Sequence, residues 1–119
     1  MPNEITQEVI ERYKKVAAAT VYSGVRRLGY EPCFMRGVKN FTPGRALVGK
    51  ARTLRFVPPR PDIMAETHRG ETSPEYEAMG SCEPGDVLVC DGMGRVYAAI
   101  GGDVKLLQLK MNGAAGIVT

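Results

Sequence analysis

The 119-residue sequence contains no tryptophan, only three phenylalanines and a single histidine, His68. So few aromatic rings leave little for the stacking platform that single-stranded nucleic acid needs. One histidine excludes a nitrogen-rich metal site. The three cysteines, Cys33, Cys82 and Cys90, are odd in number and lack any short metal-type spacing, which argues against both a zinc knuckle and a paired disulfide framework. Cys90 lies within the apolar run Val87-Leu-Val-Cys90, where a thiol packs as a small hydrophobe. All three are expected to be reduced, as in the cytosol. Also missing is any apolar run of about eighteen residues that would cross a membrane. The start, Met1-Pro-Asn-Glu-Ile5, has neither the basic flank nor the apolar stretch of a signal peptide, so a soluble, cytoplasmic protein is expected.

What the chain has in quantity is glycine and proline, fourteen and eight respectively. Together with 44% hydrophobic residues they indicate one core with many tight connections and a strand-rich α/β domain rather than a helix bundle. The formal charge is +3, from sixteen basic and thirteen acidic residues. Because the signs are interleaved, a polyanion partner is weakly indicated. The locally basic stretch holding Arg26, Arg27, Arg36, Lys39, Arg45, Lys50, Arg52 and Arg55 is read as a solvated face or an acidic-ligand pocket, and nucleic acid is not expected as a partner.

Thr6 is suited to cap a helix reaching about Val16, with Ile5, Val9, Ile10 and Tyr13 near one face. A second helix is expected from Ala18 to Leu28, stopped by Gly29. Gly24 inside it costs roughly 1 kcal/mol against alanine and is read as a point of close packing. Residues 46–57 alternate as one long strand, broken at Gly49, with both faces partly covered. Residues 62–72, which include His68, read as a mobile polar excursion. Ser73-Pro74 opens a short helix ending near Gly80. A buried strand over Asp86–Asp91 follows, then the Gly92-Met93-Gly94 connection and a strand over Val96–Ile100. A helix over Asp103–Asn112 follows, and a strand over Ala115–Thr119, parallel to one of its predecessors by a right-handed crossover, closes the unit.

Gly101-Gly102-Asp103 stands at a strand-to-helix turn, where unpaired backbone N–H groups and the helix dipole suit a carboxylate or phosphate. The spacing is neither the dinucleotide fingerprint nor a phosphate loop. Asp86, Asp91 and Asp103 bracket the strands and are candidates to converge on Mg²⁺ through hard oxygen ligands. Of the three, Asp103 is favoured near a site, at a strand's carboxyl end. His68 is read as a solvated loop residue rather than an acid/base group.

Three segments carry a resemblance: Glu83-Pro-Gly-Asp-Val-Leu-Val-Cys-Asp91, Ala98-Ala-Ile-Gly-Gly-Asp103 and Gly113-Ala-Ala-Gly-Ile-Val-Thr119. With Ala19 to Gly29 and Leu47 to Asp62 upstream, they closely resemble the RraA-like family over nearly the whole chain. This family includes the divalent-metal aldolases of 4-hydroxy-4-methyl-2-oxoglutarate and proteins named as regulators of ribonuclease activity. The resemblance implies an α/β fold of the β/β/α swivelling-domain kind, with a central mixed sheet, N-terminal helices and one RraA-like domain over residues 1–119. It implies a homotrimer or homohexamer, a 2-oxo acid in a cleft between subunits and Mg²⁺ or Mn²⁺ as cofactor. It also implies a substrate carboxylate held by backbone amides at Gly102, Asp103, Val104 and Lys105.

Two departures accompany it. Family members continue from the Gly-Ile-Val-Thr-like strand into an Asp-Gly-x-x-Arg-Asp loop, whose arginine polarises the 2-oxo group and whose last aspartate anchors the metal. This sequence stops short of that loop, so the domain reads as incomplete at its C-terminus, with its catalytic residues expected just beyond Thr119. Ser23 stands where many aldolase relatives have an aspartate, and the Leu54–Asp62 match points to the branch named for ribonuclease regulation. The function expected is a metal-dependent aldolase or decarboxylase, a carbon–carbon lyase releasing pyruvate from a 2-oxo acid such as 4-hydroxy-4-methyl-2-oxoglutarate or oxaloacetate. The 119-residue chain alone is expected to be inactive. The alternative is a non-catalytic regulator that binds an RNA-processing ribonuclease, and a third reading is an oligomeric scaffold.

Overall fold

A computed structural model describes residues 4–119. It divides into two compact units, Met1–Val48 and Gly49–Thr119.

The first unit is built on two helices, α1 (Gln7–Lys14) and α2 (Ala18–Arg27). The Thr6 hydroxyl accepts the Val9 N–H at 3.4 Å and so caps α1. Gly29, at φ +89°, ends α2 in the left-handed conformation that glycine adopts without a Cβ penalty. Its N–H donates to Arg26 O at 2.9 Å and the next, of Tyr30, to Val25 O at 3.4 Å, which satisfies two of the helix's orphan carbonyls. Neither helix has a buried residue. Gly24 is not a packing point: a Cβ there would meet nothing within 4 Å.

The second unit holds strands β1 (Ala51–Arg55), β2 (Val87–Asp91) and β3 (Gly116–Val118) in the order β1-β2-β3. All are parallel, with Ala51 opposite Val87 and Val87 opposite Gly116. The α/β class and the N-terminal helices stand as expected, and the sheet is parallel where a mixed one was expected. Helices α3 (Pro61–Thr67) and α4 (Pro74–Gly80) and a 3₁₀ turn over Gly70–Thr72 lie between β1 and β2. Helix α5 (Asp103–Met111) is the crossover from β2 to β3. One core serves this unit: Leu54, Met79, Cys82, Leu88, Cys90 and Leu109 are buried together, with Phe56, Ile100 and Ile117 packed against them.

Three sequence expectations need correction here. The long strand over 46–57 shrinks to β1, because a Cβ at Gly49 would stand 2.2 Å from Gly85 O, an approach that only glycine permits. Its outward face, Ala51, Thr53 and Arg55, is exposed, so both faces are not covered along β1. Residues 62–72 are not a structureless excursion. Pro61 opens α3 at its first turn, where proline's fixed φ and missing N–H cost nothing, and the Arg60 guanidinium pairs with Asp62. The strand over Val96–Ile100 does not form: Val96 and Tyr97 are 98% and 78% exposed, and the segment turns back through Ala98 N–H to Arg95 O at 3.0 Å.

Candidate functional site

Because β2 and β3 run parallel and α5 joins them, the N-terminus of α5 lies toward the carboxyl ends of the strands, where open α/β sheets present ligand sites. Gly101 makes the turn at φ +78°, and a Cβ there would press on Leu106 Cδ2 and Met79 Cε, both at 3.3 Å. Gly102 then occupies the N-cap position and supplies no side-chain acceptor. Its carbonyl closes the first turn by accepting Leu106 N–H at 3.0 Å. The first N–H groups of α5 therefore lack an intrahelical backbone partner and point along the positive end of the dipole. α1, by contrast, is capped by a threonine.

The four expected carboxylate-binding residues sit together in this one turn, with different freedoms. Asp103 Oδ1 already accepts the Val104 N–H at 2.9 Å. Gly102 and Asp103 are exposed, and so is the Val104 side chain. Lys105 turns its ammonium away to Glu75 of α4, with both side chains only 20% exposed, and over the Tyr76 ring at 4.7 Å from its centre. Glu75 and Tyr76 were not singled out in the sequence. The available signal was Ser73-Pro74, which starts a helix and places an acid in its first turn.

The three aspartates do not converge. Asp86 immediately precedes β2 and Asp91 ends it, and the five residue steps between them span about 16 Å at the usual rise. Asp86, 4% exposed, accepts Arg52 Nε at 2.6 Å and Glu83 N–H at 2.9 Å, while Arg52 Nη2 also reaches Glu83 at 3.1 Å. Burial pushes the Asp86 carboxyl up, but the Glu83 N–H and Arg52 outweigh it and hold it below the usual carboxylate range. At the other end Asp91 pairs with Arg55 at 2.9 Å and accepts Met93 N–H at 2.8 Å. Both carboxylates are thus taken by protein cations and amides. Among the described residues no group of three carboxylate, thiol or imidazole side chains is placed to hold a metal ion. The expected convergence of Asp86, Asp91 and Asp103 on a metal ion is corrected accordingly.

His68 is exposed at the C-terminus of α3, its N–H on Met64 O at 2.8 Å. Cys82 and Cys90 are buried core thiols. Burial, then the negative charge of Glu75, raises the Cys90 pKa to about 11; burial, then Asp86, raises that of Cys82, partly offset by Arg52. Neither is an activated nucleophile. In the first unit an open depression of about 420 Å³ lies along α1, lined by Ile5, Val9, Tyr13 and Val16 with Glu4 and Arg12. It contains no cluster suited to catalysis. No helix among the described residues is long and apolar enough to cross a membrane.

Comparison with known proteins agrees with this architecture. No curated protein matches the sequence. The chain is similar to a solved structure from Streptomyces coelicolor, RraAS2, described as an unusual member of the RNase ES inhibitor RraA protein family. The two share 27% identity and a TM-score of 0.78, over 97% of this chain and 53% of that one. The chain thus spans about half the length of that relative. The RraA-like family model, described as Aldolase/RraA, matches residues 13–119, which takes in the last two residues of α1, all of α2 and the whole parallel sheet, and on that match the chain belongs to the RraA-like family.

Proposed function

We propose that this chain binds the carboxylate of a small 2-oxo acid at the N-terminus of α5, as the substrate-holding part of an RraA-like carbon–carbon lyase. One observation carries the reading: α5 begins on an uncapped glycine at the carboxyl side of a parallel sheet. The amides of Asp103 and Lys105 suit a carboxylate, the Val104 amide becomes available if the Asp103 side chain rotates, and Gly101 and Gly102 place no side chain over them. In such a lyase a divalent cation, Mg²⁺ or Mn²⁺, supplies Lewis-acid stabilisation of the enolate charge on pyruvate. The residues of this chain supply binding and orientation only, and the polarising arginine and metal-anchoring aspartate belong to a motif that the 119-residue sequence does not contain. Assembly as a homotrimer or homohexamer and a cytoplasmic location belong to the same reading.

The test is a titration of the chain with oxalate, a two-carboxylate mimic of a 2-oxo acid, followed by amide NMR. Shifts confined to Asp103–Leu106, with Kd on the order of 1 mM, are expected. Gly102→Asp is the companion variant: the site has open space for a Cβ and ordinary φ of −104°, so the new carboxylate caps α5. Stability should hold or rise by a few tenths of a kcal/mol while oxalate binding falls at least tenfold. Unchanged binding would remove the α5 amides from the site. Pyruvate release from oxaloacetate by the 119-residue chain should be absent with or without EDTA.

A second reading is favoured by the description of the Streptomyces coelicolor relative as belonging to a family of RNase ES inhibitors. Here the chain is a non-catalytic partner of an RNA-processing ribonuclease. Inhibition of such a ribonuclease that survives EDTA supports it, and lyase activity that EDTA abolishes in a protein carrying the arginine-aspartate loop supports the first.

A further inference from the structure

Helices α4 and α5 are tied at both ends. Asn112 Nδ2, just past the end of α5, donates to Met79 O at 3.3 Å and to Gly80 O at 3.1 Å at the end of α4. At the other ends, the first-turn Glu75 of α4 pairs with the first-turn Lys105 of α5. The helices therefore run in the same direction, with their N-terminal turns side by side. Like dipole ends and a lysine at one place would make a strongly positive spot, and Glu75 is the anion built into it. Its carboxylate lies close enough to the core to raise the pKa of Cys90. The Lys105 ammonium also lies over the Tyr76 ring, 4.7 Å from its centre. With each partner 20% exposed, this is no loosely solvated surface pair.

We infer that Glu75 regulates the α5 carboxylate site by withholding Lys105 from it, so that the ammonium one turn into the helix contributes neither charge nor a hydrogen bond to the bound acid. This rests on the proposed carboxylate site. Glu75 is a positioning residue: it acts through Lys105 and touches no substrate. The consequence is a site tuned to weak, backbone-only binding, which suits a small acid present at high concentration and rapid release.

A double-mutant cycle on the 119-residue chain, read by oxalate titration at low and high salt, tests this. Glu75→Gln frees the ammonium and should tighten oxalate binding about tenfold at low salt, the gain expected of one charge at a partly solvated site. High salt should erase most of that gain. Lys105→Met alone leaves the Glu75 carboxylate unpaired beside the turn and should weaken binding, and Glu75→Gln with Lys105→Met should return to the parent value. Glu75→Asp, which shortens the tether without removing the charge, gives a smaller tightening of about threefold and serves if Glu75→Gln does not fold. Loss of packing alone would not produce a salt-sensitive gain that disappears with Lys105. A tightening that persists in the double variant, or none in either Glu75 variant while the parent binds oxalate, overturns the inference. Absence of binding in every variant overturns the carboxylate site itself.

Discussion

The two units differ in what holds them. Gly49–Thr119 contains every buried side chain among the described residues, from Leu54 to Leu109, whereas the described part of the first unit buries none and keeps Ile5, Tyr13, Tyr30, Phe34 and Phe41 substantially exposed. Yet both units follow the same local rules. α2 in the first and α5 in the second end on a glycine with the same pair of backbone bonds, Gly113 N–H to Lys110 O and Ala114 N–H to Leu109 O matching those at Gly29 and Tyr30. Local capping shapes a helix wherever the residues allow it. Burial depends on whether another element is there to pack against, and hydrophobic stabilisation follows burial.

The difference is sharpest for a core truncation. Leu88→Ala, at a position with no exposed surface, should cost about 2–5 kcal/mol in urea unfolding. Val9→Ala on α1 should cost less than about 1 kcal/mol, and equal losses would break the contrast. Glycine-to-alanine changes should differ in sign. Gly49→Ala drives a Cβ into Gly85 O and Val87 Cγ2 and should cost about 2–3 kcal/mol. Gly24→Ala, in open space inside a helix, should stabilise by up to about 1 kcal/mol. Thermal unfolding of both variants decides.

Acid sensitivity should reside in the second unit. Asp86 has a folded-state pKa below its unfolded value, so its contribution is present above about pH 4 and is lost as pH falls through the folded value. Asp86→Asn should lower stability at pH 7 and flatten its dependence below about pH 4. A wild-type slope retained in the variant would assign acid sensitivity elsewhere. The smallest effect is kinetic. Cys33, partly exposed in the first unit, should react with a thiol reagent at pH 8 well before Cys82 and Cys90, whose burial and raised pKa keep the thiolate scarce. Simultaneous labelling of all three would show that the core opens as readily as the surface.

Most elements were legible because their signals are local. Thr6 with Val9, Ser73 with Pro74, Gly29 and Gly113 mark helix ends within a few residues, and Val87-Leu-Val-Cys90 reads as a buried strand by composition. Where reading failed, the deciding partner was distant. Val96–Ile100 is an apolar run that reads as a strand, but composition supplies no edge to pair with, and β2 already bonds β1 on one side and β3 on the other. Residues 62–67 look polar because a short helix with no buried residue has little apolar pattern to show. At the candidate site Gly101, Gly102 and Asp103 announce a helix start, while the fate of the Lys105 ammonium depends on Glu75, thirty residues earlier.

By itself, then, the sequence determined where α1, α2, α4 and α5 begin and end, which strand is buried, the location of the glycine turn that opens α5 and the family. Each of those depends on bonds and sterics spanning a handful of residues, or on a run of matched motifs. Tertiary structure decided that the sheet is parallel, that Gly49 must lack a side chain, that Asp86 and Asp91 are taken by Arg52 and Arg55 rather than left to a metal, and that Lys105 is held by Glu75. These choices are made between side chains brought together only after the chain has folded, where burial and the competition among nearby charges select one partner from several that composition alone allows.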